Sequence, residues 1–108
     1  MNSNTNELSL QRPTWAEISI EAIHFNYSQI KNILSGAGVM AVVKADAYGH
    51  GATVIAKELE QAGVSFFATA TPAEAVQLRR AGTKIPLVVL SGMTPEQLPL
   101  LRHYDFFP

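Results

Sequence analysis

The residues best placed to do chemistry sit in one stretch, VMAVVKADAYGHG, residues 39–51. An apolar, β-branched run stops at Lys44, and Asp46, Tyr48 and His50 follow at two-residue steps between small residues. A lysine that ends an apolar strand is costly to place, because burial disfavours the charged amine. A neutral amine there is a nucleophile able to form a Schiff base with a carbonyl. The alternative is a lysine that carries its ammonium past the strand end into water. Tyr48, taken by itself, reads as a ring packed under the loop with its hydroxyl in water. Asp46 is expected to bond neighbouring backbone amides, and His50 needs no partner chemistry. Gly49 and Gly51 form a lone GxG, with no P-loop or full dinucleotide fingerprint around it. His24, His50 and His103 lack metal-ligand spacing, so no metal site is expected. The chain has no cysteine, which excludes a disulfide, a thiolate metal site and a catalytic cysteine.

The elements that must position Lys44 follow from periodicity. Trp15–Ile20, WAEISI, alternates apolar and polar and reads as a short strand with one buried face. Ile20, Ile23, Tyr27, Ile30 and Leu34 then recur at three- and four-residue steps, one face of an amphipathic helix, with Gly36 and Gly38 as its stop. Val39–Val43 reads as a fully apolar strand and Asp46–Gly51 as a loop. Ala52–Ala62 reads as a helix closed by Gly63, and Val64–Ala70 as a strand. Thr71, Pro72 and Glu74 start a third helix with a capping box, which runs to Ala81 and stops at Gly82. Ile85–Leu90 is a further strand. Thr94, Pro95 and Gln97 repeat the helix start, with an end near Arg102–His103, and Asp105–Pro108 reads as the opening of another strand. Arg79–Arg80 is expected to be a solvated helix end, and Trp15, Phe66 and Phe67 are expected in the core.

Continuous apolar strands alternating with capped helices predict βα units and a parallel sheet. A doubly wound sheet and a (β/α)8 barrel share that signature. In both, ligands bind beyond the carboxyl ends of the strands. Lys44 ends the first inner strand, Thr69 and Thr71 the second, and Leu90, Ser91 and Gly92 the third, all on one rim. That placement favours a functional Lys44.

Composition narrows the class. The chain has 108 residues, 47% of them hydrophobic, and a net charge of -1. That is enough apolar material for a real core, and it carries no charged block of the kind that binds nucleic acid or a membrane surface. No apolar run reaches the roughly 18–20 residues of a membrane span. The N-terminus is polar, without a signal layout, and reads as a flexible leader over residues 1–12 ahead of a unit at 13–108. The location expected from these features is cytoplasmic.

Four segments together resemble the N-terminal portion of alanine racemase, a fold-type III pyridoxal 5′-phosphate enzyme. They are RPTWAEISIEAIHFNY, AVVKADAYGHGA, GVSFFATATPAEAVQLRRAG and PLVVLSG, in order over nearly all of residues 12–108. AVVKADAYGHG is the most specific of them, and the RPTWAEI opening is an independent second match. Ser19 departs from the pattern, standing where an aspartate is common. The resemblance implies the N-terminal part of a (β/α)8 barrel, with Lys44 as the internal-aldimine lysine and the proton carrier on one face of the substrate. It implies that the Tyr48 hydroxyl bonds the cofactor phosphate. It implies interconversion of L- and D-alanine, supply of D-alanine for peptidoglycan, and a homodimer. The second catalytic base would be a tyrosine from the partner's C-terminal domain, and the remaining phosphate ligands would come from later barrel loops.

Two other readings remain open at this level. One is a pyridoxal phosphate-binding protein without turnover, and the other is a truncated chain that only folds or associates through open sheet edges. A full barrel needs about 250 residues, so the chain is expected to be a fragment. Residues 1–108 by themselves are expected to lack racemase activity. The first strand, which pairs with the C-terminal domain in the family, is expected to be unpaired or misplaced here.

Overall fold

The computed structural model describes residues 14–108. The leader at residues 1–12, and Pro13, lie outside the described residues. The elements run α1 (Ile20–Ile33), β1 (Met40–Val42), a short helical turn (Lys44–Tyr48), α2 (Ala52–Ala62), β2 (Phe66–Thr69), α3 (Pro72–Arg80), β3 (Leu87–Val89), a 3-10 turn (Pro95–Gln97) and α4 (Leu98–Tyr104).

The helix starts are those their sequences dictate. Thr71 accepts from the Glu74 N–H while Glu74 accepts from the Thr71 N–H, and Pro72 fills the first helical position of α3. Thr94 and Gln97 form the second capping box, but the turn they start is 3-10 before it becomes α4. Gly63 ends α2 at φ 106, a left-handed conformation that glycine adopts without a Cβ penalty. Gly38 serves a different purpose: a Cβ there would lie 2.7 Å from Ser65 Oγ, so a side chain at the entry to β1 would require Ser65, at the entry to β2, to shift.

Trp15–Ile20 does not form a strand. Ile20 is the first residue of α1, and Ser19 caps that helix by accepting from the Ala22 N–H at 3.0 Å. A strand exists only by pairing, and among the described residues nothing pairs with 14–19. The alternation there buries nothing, since Trp15 is 74% exposed. An aspartate at position 19 would cap equally well, so the departure noted in the sequence leaves the helix start intact. Only Tyr27 of the apolar face of α1 is buried, and Ile30 and Ile33 are exposed.

The three strands are parallel, in the order β1-β2-β3, with Met40 opposite Phe66 and Phe67 opposite Leu87. Phe107 adds a parallel bridge beyond β3, donating to Leu87 O and accepting from Val89 N, both at 2.8 Å. Of the strand expected at 105–108, this single bridge forms, while Asp105 is the left-handed cap of α4.

Side chains alternate between the two faces of the sheet. Val43, Phe67, Leu87 and Val89 join Ile55, Ala75 and Leu78 from α2 and α3 in one buried cluster. Each of the larger buried groups, such as Phe67 and Leu87, contributes about 1.5–3 kcal/mol. The other face carries Met40, Val42, Phe66 and Leu90, all exposed. Helices on one face only separate the two folds that share the sequence signature. A doubly wound sheet is covered on both faces, whereas a (β/α)8 barrel turns one face inward. This is an arc of such a barrel, and its open face is the one a closed barrel turns inward. Two expectations change accordingly: β1 is buried on one side only, and Phe66 lies on the open face rather than in the core.

Candidate active site

Lys44 follows β1 with only Val43 between them. Val43, at φ -121° and ψ 27°, turns the chain out of extended backbone, and Lys44 opens the helical turn that follows. Its side chain is half-buried at the rim where the strands end. The other strand ends meet it there: the Val43 N–H donates to Ala68 O, Leu90 N–H to Thr69 O and Ser91 N–H to Ala70 O, at 2.8–3.1 Å.

The segment after Lys44 is not the loop its composition suggests. Ala45, Asp46, Ala47 and Tyr48 all have φ between 52° and 56°, so the chain makes a left-handed helical turn. For L-residues this conformation costs roughly 1–2 kcal/mol each, and it rarely persists beyond one residue. The surroundings hold it. Ala47 N–H donates to Val43 O at 3.0 Å, and Gly49 N–H to Ala45 O at 3.1 Å. Gly51 N–H donates to Asp46 O at 2.9 Å. The Asp46 carboxylate accepts from Ala52 N–H at 2.8 Å, which fixes the turn to the start of α2 and sets a negative charge at a helix N-terminus. His50 Nδ1 lies 2.9 Å from Ala47 O. The bonding expected of Asp46 is therefore present, and His50 is tied to its own turn. Ala47 packs into the core, while Tyr48 is 59% exposed, one helical turn beyond Lys44.

One further side chain reaches this turn, and its importance lies beyond any local pattern. Glu74 has one carboxylate oxygen on the Ala70 and Thr71 N–H groups, at 2.8 and 3.1 Å, and the other on the Ala45 N–H at 2.8 Å. Burial pushes its carboxyl up, but the three N–H donors and the positive charge of Lys44 outweigh burial and hold it below the ordinary glutamate range. In the sequence Glu74 signals only a helix cap. The remaining hint is that this cap closes the rim where Lys44 ends its strand.

Residues 18–108 match the family model described as alanine racemase, N-terminal domain. The chain belongs to that family. An alanine racemase of Halothermothrix orenii is 49% identical over 100 residues, covering 92% of this chain and 26% of the relative. Among solved structures, alanine racemase of Clostridium difficile 630 superimposes with a TM-score of 0.85 at 38% identity, over 89% of this chain and 26% of that one. Alanine racemase of Bartonella henselae, a structure with covalently bound pyridoxal phosphate, gives a TM-score of 0.78 at 33% identity, over 84% of this chain and 27% of that one. The chain thus spans about a quarter of the length of the alanine racemases it matches.

Several side chains read as peripheral in the sequence have definite partners. Arg79 is not solvated: its guanidinium donates to the carbonyl oxygens of Tyr104, Thr83, Ile85 and Asp105 at 2.7–2.8 Å. It thereby joins the end of α3 to the turn that leads into Phe107. Arg80 lies over the Tyr104 ring, 5.7 Å from its centre, and bonds its hydroxyl. His24 faces α2 and pairs with Glu58 at 3.1 Å. Among the described residues no helix is long and apolar enough to cross a membrane.

Proposed function

We propose that Lys44 is the cofactor lysine of a pyridoxal phosphate-dependent alanine racemase, and that the protein carrying this chain interconverts L- and D-alanine. The observation that supports this most is the placement of Lys44. It is a half-buried lysine at the carboxyl-end rim of the barrel arc, where the chain spends backbone energy to hold a left-handed turn. Strain of that kind collects at functional sites. The donor set suits the group. A primary amine at the rim can bond an aldehyde carbon, and an exposed phenol one turn away, Tyr48, can donate to a phosphate oxygen.

Bound pyridoxal phosphate supplies an electron sink that makes the substrate Cα–H acidic. Lys44 Nζ takes and returns that proton on one face of the substrate. Racemisation needs a second acid/base opposite, assigned here to a tyrosine of a partner subunit in a homodimer. Supply of D-alanine for peptidoglycan in the cytoplasm completes the reading.

The test is Lys44→Ala in the full-length protein. Visible absorbance of the attached cofactor and racemisation of L-alanine should both be lost. Borohydride reduction of the wild type should leave a pyridoxyl mass on the peptide that contains Lys44. A Lys44→Ala protein that kept both the absorbance and the turnover would overturn the assignment.

A further inference from the structure

A capping box needs one acceptor oxygen for the N-cap N–H. Glu74 meets that need with one oxygen, which takes both Ala70 and Thr71 N–H. The other oxygen crosses 29 positions of sequence to the N–H of Ala45, the residue directly after Lys44. The Val43 N–H makes the last ladder bond, to Ala68 O, and two residues on, at Ala45, φ is positive and the N–H has left the strand ladder. The Glu74 carboxylate supplies the partner that β2 does not.

We propose that Glu74 is a positioning residue for Lys44: by clamping the 44–45 peptide to the end of β2, it fixes the point and direction from which the lysine side chain reaches the cofactor. The inference rests on Lys44 being the cofactor lysine. The physical reasoning is short. The lysine stem has four rotatable bonds, and its amine samples a wide arc unless its origin is fixed. The 44–45 peptide is that origin, and the left-handed turn beyond it is intrinsically unfavourable. A carboxylate accepts at both oxygens and donates from neither, so it can hold two backbone donors from separate elements at once. The same donors and the Lys44 charge hold the carboxyl below its ordinary range and so keep it ionised at neutral pH.

Two substitutions separate the clamp from the cap. Glu74→Gln keeps one amide oxygen for Ala70 and Thr71 but turns an NH2 donor toward the Ala45 N–H. Thr71→Ala deletes the hydroxyl that accepts from the Glu74 N–H at 3.2 Å and leaves the three N–H donors to the carboxylate in place. Each is made in the full-length protein, stripped of cofactor and then mixed with pyridoxal phosphate. The measurements are the thermal midpoint, the rate at which visible absorbance of the attached cofactor appears, and kcat and KM for L-alanine.

Thr71→Ala should lower the thermal midpoint and leave the attachment rate unchanged. Glu74→Gln should slow attachment and lower kcat by about ten- to a hundred-fold, the scale of an ångström-sized misplacement, with KM little changed. Should Glu74→Gln fail to fold, Glu74→Asp keeps the charge and the Thr71 hydroxyl bond to the residue 74 N–H but is one methylene short of Ala45, and the same losses are expected. Wild-type attachment and kcat in a folded Glu74→Gln or Glu74→Asp protein would overturn the clamp. Loss of attachment in Lys44→Ala alongside that result would leave the cofactor reading standing and remove only the clamp. Retained attachment in Lys44→Ala would remove both.

Discussion

Replacing alanine by glycine should stabilise this protein at one position and destabilise it at another. Ala45 is exposed with φ 52° and ψ 49°. An L-residue there carries roughly 1–2 kcal/mol of steric cost that glycine lacks. Glycine in turn gives the unfolded chain more freedom, which offsets about 0.4–1 kcal/mol. No packing is lost from an exposed methyl group, so Ala45→Gly should stabilise by about 0.5–1 kcal/mol from these two terms. Ala22 is also exposed but lies in the right-handed first turn of α1. There Ala22→Gly should cost about 1 kcal/mol. The separation between the two variants is thus about 1.5–2 kcal/mol. With a slope of about 1–3 kcal/mol per molar urea, their unfolding midpoints should differ by about 0.5–2 M, with Ala45→Gly above wild type and Ala22→Gly below. Equal losses in the two variants would refute the claim that the turn after Lys44 is held against a steric cost.

Arg79→Ala should cost about 3 kcal/mol, counting about 1 for each of its three part-buried bonds to carbonyl oxygens. Arg79→Lys should recover only part of this, because a point ammonium cannot span the four acceptors. Urea midpoints measure the loss, and faster hydrogen exchange at Phe107 N–H would locate it. Glu74 gives a pH dependence of definite sign. Its folded pKa lies below the ordinary glutamate range, so its stabilising contribution is full above that range and is lost as pH falls through the depressed value. Glu74→Gln should therefore flatten the acid limb of a stability-against-pH curve below the ordinary glutamate range and leave the neutral region parallel to wild type.

Strand and helix order was legible in the sequence because it rests on local rules: apolar runs, Pro72 and Pro95 at helix starts, and Gly63 and Gly82 after helix ends. Lys44 at a strand end followed from the same pattern. The left-handed turn was not legible. Ala45, Asp46, Ala47 and Tyr48 include no glycine, and their conformation is held by bonds to Ala52 and Glu74, which reach it from other elements. Arg79 was misread for a related reason. Two arginines at a helix end look solvated, while two of the four carbonyls of Arg79 lie 25 and 26 residues away. Trp15–Ile20 failed in the opposite sense: the alternation is present, but a strand needs a neighbour that local pattern cannot supply. Side-chain alternation could not decide between a doubly wound sheet and a barrel. The decision came from which face of the sheet the helices leave bare.

The strand that precedes Lys44 has a neighbour on one side only among the described residues, since β1 pairs with β2 alone. A barrel closes by joining its final strand to its first. The seam of the completed barrel therefore runs beside Lys44. On a ribosome, β2 and β3 can add to β1 in order as they emerge, but the wall on the far side of Lys44 arrives last. Under the proposed function, capture of the cofactor at Lys44 would report that the ring has closed.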